Sequence, residues 1–168
     1  QVSSELASLE DTFARLQARA ALSQALQIAA RMQAYFESER YGDVLGADAD
    51  LQALNNEKGL MSPEVSQTAA EMLAKCAETK RRAEIHIAFV KLDIKVDAVS
   101  YFPEGQSFAI VNGEVYSEGA QVAPEMALAA VAIGRVTFDF KGEMIPQGLA
   151  APEESQTQGK RGKEGRIQ

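Results

Sequence analysis

Tryptophan is absent, and the 168 residues hold one cysteine and one histidine. A single cysteine excludes an internal disulfide and a cysteine-based zinc site. A single histidine excludes a two-histidine metal motif. No run of 18 uncharged apolar residues occurs, so the sequence contains no helical membrane span. Basic residues are in the minority: 17 Lys and Arg against 24 Asp and Glu give a net charge of −7. That balance argues against a nucleic-acid backbone as the main partner. Gly42, Gly46 and Gly59 do not build a phosphate loop, and no Gly-x-Ser-x-Gly elbow is present. Asp43, Asp48, Asp50 and Glu57 are acidic neighbours, but they lack the ligand spacing and the glycine of a calcium loop. The reading is therefore non-enzymatic, with no catalytic, cofactor-binding or metal site assigned.

What is present divides sharply near residue 85. Residues 1–84 are rich in Ala, Gln, Glu, Leu and Arg, all good helix formers, and contain one proline. Residues 85–149 are rich in Val, Ile, Phe and Gly, with turn signals every eight to twelve residues, which suits a small β module. Residues 150–168 have little apolar content and are expected to be disordered. The expected fold class is α+β: an N-terminal α-helical hairpin followed by a small SH3-like β-barrel or sandwich.

The first helix is expected over about 3–40, started by Ser3 or Ser4 and capped at Tyr41-Gly42. Within it Leu6, Leu9, Phe13, Leu16 and Ala20 recur at spacings of three and four. That pattern is either an oligomerisation seam or the inner face of the hairpin. Leu22, Leu26, Ala29 and Ala30 continue an apolar stripe in a shifted phase. A helix this long exceeds what a small domain covers, so part of it should project or pack on another chain. Residues 42–61 read as a linker with one short helix over 49–55, and Asn55 to Gly59 reads as a turn. Ser62-Pro63-Glu64 looks like the start of a second helix over about 62–84. Lys80, Arg81 and Arg82 would then form a solvated helix end favoured by the dipole.

From Ile85 the apolar period changes to two, with a flip at Phe89-Val90. The flip means either a bulge or a helix persisting to about residue 90. Strands are expected over 99–102, 107–111, 115–116, 126–131, 136–140 and 143–145. Asn112-Gly113 is the strongest hairpin signal, because both residues tolerate the positive φ of a type I′ turn. His86 lies among apolar residues; as a base it would need an orienting carboxylate, for which Glu84 and Asp93 are nearby in sequence. A packed structural histidine is the preferred reading. Cys76 reads as a small buried hydrophobe.

Phe108-Ala109-Ile110-Val111-Asn112-Gly113-Glu114-Val115-Tyr116-Ser117-Glu118-Gly119 places an apolar strand before Asn-Gly, then Tyr, then Gly. An apolar segment and a Val-x-Phe-x-Phe strand follow. Over about residues 95–146 this resembles the small periplasmic β domain of bacterial envelope machines. Examples are the B and C components of type II secretion and the pilus assembly lipoprotein PilP. The resemblance implies a docking domain in a secretion or pilus assembly complex, located in the periplasm or cell envelope. The start at Gln1 without Met fits a processed envelope protein. Implied partners are proteins, with self-association through the helices and a membrane-anchored complex both compatible. The expected interaction residues are Leu6, Leu9, Phe13, Leu16, Phe108 and Tyr116. The rival reading is a cytoplasmic module that binds a peptide or small ligand.

Overall fold

A computed structural model of the chain describes residues 1–58, 60 and 62–151. The tail expected to be disordered lies almost wholly outside the described residues. Three helices come first: α1 (Val2–Glu37), α2 (Tyr41–Lys58) and α3 (Ser66–Lys91). Seven strands follow: β1 (Val96–Ser100), β2 (Phe108–Val111), β3 (Glu114–Ser117), β4 (Gln121–Ala123), β5 (Met126–Ala132), β6 (Arg135–Phe140) and β7 (Glu143–Gly148). The class is α+β, as the composition implies. The helical part differs from a hairpin, because residues 41–58 form a full helix rather than a linker.

The reason lies in α2's buried face. Val44, Ala47 and Leu51 are buried, and Leu60 beyond its end is too, while Leu54 packs beside them. Their spacing of three and four makes one helical stripe. Burial of that stripe against α1 and α3 overrides the weak propensity of Gly42, Gly46 and three aspartates. Gly42 therefore does not cap α1. The reversal is made at Glu39, whose φ is 59°. The Ser38 N–H donates to the Ala34 carbonyl and the Arg40 N–H to the Tyr35 carbonyl, closing the helix end. Non-glycine residues are disfavoured in this left-handed region. Glu39→Gly is thus expected to stabilise the protein by about 0.5–1 kcal/mol, read as a rightward shift in urea midpoint at unchanged slope.

Other boundaries differ from expectation as well. Helix α1 begins at Val2 with no side-chain cap, and Ser4 Oγ instead donates to the Gln1 carbonyl. Ser62 is not an N-cap: its carbonyl accepts from the Val65 N–H in a turn, and α3 starts at Ser66. Helix α3 also persists to Lys91, so the change of parity at Phe89-Val90 is helical and not a bulge.

The β part holds two antiparallel sheets, β1-β2-β3 and β4-β5-β6-β7. They share one core of Val96, Ala109, Val111, Met126, Leu128, Val131, Val136, Phe138, Phe140 and Ile145. The expected barrel is not closed. At their margins the sheets are linked by the Ala150 N–H donating to the Val96 carbonyl, the Gly119 N–H to the Leu128 carbonyl, the Leu128 N–H to the Ala120 carbonyl and the Val131 N–H to Glu118 Oε1. The Asn-Gly turn forms as its chemistry demands: φ is 49° at Asn112 and 82° at Gly113. Asn112 also accepts from the Lys95 N–H through Oδ1 at 2.8 Å, tying the hairpin to the start of β1.

Helix α3 connects the two halves. Ala69, Met72, Cys76 and Ala83 belong to the helical core. Ile85 and Phe89 belong to the β core, with the Phe89 ring 5.7 Å from Phe138 and 6.0 Å from Phe140. One helix therefore contributes to both cores with no linker between them.

Candidate interaction surfaces

Helix α1 carries two apolar faces. Ala18, Ala21, Ala25 and Met32 are buried, the last three in the core shared with α2 and α3. Val2, Leu6, Leu9, Phe13 and Leu16 lie on roughly the opposite side, at ~100° of rotation per residue. That second face is bare: Leu6 is 54 %, Leu9 66 %, Phe13 62 % and Leu16 59 % exposed. The continuation of the sequence stripe in its shifted phase is not the buried face either: Leu26 is 46 % exposed, and the buried positions are Ala18, Ala21, Ala25 and Met32. Of the two readings of the stripe, the inner face of a hairpin is excluded, since none of these four side chains is covered by the described residues. Leu and Phe seldom stand bare in a row on a helix, and a contiguous patch of this kind marks an association surface. The body of the protein begins to cover α1 at Ala18, and beside it Arg19 donates to Glu64 through Nη2 at 2.6 Å.

Phe108 and Tyr116 separate to different faces of the first sheet. Tyr116 lies opposite Ala109 and packs against the β core, while its hydroxyl donates to Glu114 at 2.7 Å. That bond raises the phenol's pKa above its ordinary value. Its role is to cover the core. Phe108 points to the outer face with Ile110, by strand alternation. Val115, paired with Ile110, is exposed there, and the Phe102 ring lies 5.9 Å from Phe108. This outer face is a second apolar patch, bordered by the edge strand β3.

A third feature was missed by sequence reasoning. Arg82 on α3 grips Glu143 at the start of β7, with Nε donating at 3.0 Å to Oε2 and Nη2 at 2.8 Å to Oε1. His86 Nε2 stands 3.2 Å from the same Oε1. The imidazole stacks on Tyr41 at 4.4 Å and meets the edge of Phe36 at 5.7 Å, while the Arg82 guanidinium lies 4.4 Å above the Phe36 ring. The ends of α1 and α2, the middle of α3 and the β6–β7 turn thus meet around one buried carboxylate. The Arg82 guanidinium holds the Glu143 carboxyl below the usual range, against the opposing pull of burial. Burial pushes the Tyr41 phenol up, with Glu39 and Glu143 adding to it.

The partner of His86 is therefore neither Glu84 nor Asp93. The basic run also corrects its own reading, because it sits mid-helix rather than at a solvated end. Lys80 reaches buried Asp48 on α2 at 3.4 Å, Arg81 pairs with Glu78 along α3, and Arg82 holds Glu143. Cys76 is buried, as its place on the apolar face implies, and burial raises its thiol's pKa. Among the described residues no group of three His, Cys, Asp or Glu side chains is placed to hold a metal ion. No helix among them is long and apolar enough to cross a membrane.

No protein-family model, curated protein or solved structure matches the chain.

Proposed function

We propose that the protein is a non-enzymatic adaptor of a bacterial envelope complex, of the secretion or pilus assembly type. It assembles through α1 and docks other proteins through the β module. The observation that carries this reading is the bare Leu6–Leu9–Phe13–Leu16 stripe on an arm extending past the body. An apolar seam on a structured helix is stabilised only when another surface removes it from water. The β module reads as an opened SH3-like fold, supported by the marginal bonds that link the edges of its sheets. Its outer face offers Phe108, Val115 and the edge of β3, where an added strand or apolar side chains could dock. The periplasmic setting follows from the resemblance around Asn112-Gly113 and Tyr116.

The test is retention of envelope proteins by the immobilised full chain, compared with Leu9→Asp and Val115→Asp variants. Each replaced side chain is exposed, so both variants should fold normally. The reading expects one or more proteins retained by the wild type and lost selectively with one variant. A chain that is strictly monomeric and retains no envelope protein overturns it.

A further inference from the structure

Resting on the reading of the α1 stripe as an assembly surface, we propose that it pairs with the same stripe of a second copy, antiparallel, centred at Asp11. The stripe runs Val2, Leu6, Leu9, Phe13, Leu16 and Ala20 at alternating spacings of four and three, the repeat that keeps one seam facing a partner helix. Read backwards against itself, it is self-complementary. Leu6 meets Leu16 of the second copy, Leu9 meets Phe13, and Val2 meets Ala20. The large side chains fall in the centre and the small ones at the ends.

Charges beside the seam select the direction. In a parallel pair Glu5 of each chain faces Glu10 of the other, so two like-charge contacts arise. In the antiparallel pair Glu5 faces Arg19 of the second copy, twice, and Glu10 meets only its own counterpart. Arg19 can serve this contact while holding Glu64. Its bonds to Glu64 use Nε and Nη2, and a guanidinium carries five donors. The shape of the molecule agrees. The large side chains of the seam end at Leu16, just before the body begins to cover α1 at Ala18, so the tip of one arm reaches the shoulder of the other. Antiparallel arms also put the two bodies at opposite ends of the pair. A two-fold axis through the arm makes the contact isologous and closed. Six layers is short for a coiled coil, so the pairing is expected to be weak and concentration-dependent.

Sedimentation equilibrium of the full chain across low to high micromolar concentration tests the pairing. The expected result is a monomer–dimer equilibrium reaching twice the 18.1 kDa chain mass. Leu9→Asp should weaken it at least ~100-fold, since it buries a charge in a central layer of both helices. Circular dichroism should show the helix content unchanged. For direction, Leu6→Cys and Leu16→Cys chains are mixed under mild oxidation, the native Cys76 being buried. A mixed disulfide between the two variants is expected, and little Leu6→Cys homodimer. A wild-type chain monomeric at several hundred micromolar overturns the pairing. So does a dominant Leu6→Cys homodimer, which requires parallel arms. If the chain is monomeric yet retains an envelope protein that Leu9→Asp loses, self-pairing fails and the adaptor reading stands.

Discussion

Phe89→Ala is expected to destabilise the protein by about 4 kcal/mol and to divide its unfolding into two steps. The ring is buried at the end of α3 and lies against Phe138 and Phe140 in the β core. Truncating a buried phenylalanine forfeits its transfer free energy and leaves a cavity, together about 3–5 kcal/mol. That is a large share of the roughly 5–15 kcal/mol that holds a domain together. The wild type should unfold in one transition, because α3 supplies Met72 and Cys76 to the helical core and Ile85 and Phe89 to the β core. Removing Phe89 weakens the β core and its hold on α3 together. Hydrogen exchange should then show the strands opening before α2 and the first half of α3. A loss under about 1.5 kcal/mol with all segments still opening together would contradict this account.

Glu143→Gln is expected to cost about 2 kcal/mol at neutral pH, with the difference shrinking in acid. The carboxylate is buried and accepts from Arg82 and faces His86, so replacing it removes charge-assisted bonds from a desolvated position. The cost falls short of that for a fully enclosed pair, because the Arg82 side chain is 41 % exposed and can turn to water. The folded-state pKa of Glu143 is depressed. Its stabilising effect is therefore complete above the ordinary carboxylate pKa of about 4.3 and is lost as pH falls through the depressed value. Urea titrations at pH 7 and near pH 3 should show the full wild-type advantage at the first and a smaller one at the second. A pH-independent difference would mean that Glu143 acts through shape alone.

The division between helical and β halves was legible in composition, and so were the strands around Val131 and Phe138 and the turn at Asn112-Gly113. Each is signalled by residues adjacent in the chain. Helix α2 was not read, because its glycines and aspartates argue locally against helix. Its stripe of Val44, Ala47 and Leu51 becomes decisive only when α1 and α3 cover it. Ser62-Pro63 has the chemistry of a helix start, yet the chain uses it for a turn one residue group earlier. The surroundings of His86 were beyond reach for a different reason. Glu143 is 57 residues away and arrives only after α3 docks on β7. The Leu6–Leu16 stripe was legible as a seam, but its exposure depended on which face of α1 the other helices took.

Helix α3 is about 39 Å long at 1.5 Å per residue, and it is rooted in both halves of the molecule. Close-packed interiors transmit strain instead of absorbing it. Helix α3 carries side chains of the helical core in its first half and of the β core near its end. There Phe89 acts as a peg and the Arg82–Glu143 fork as a brace, both resisting in shear. The two halves therefore meet through this one helix, at the Phe89 ring and at the Arg82–Glu143 fork.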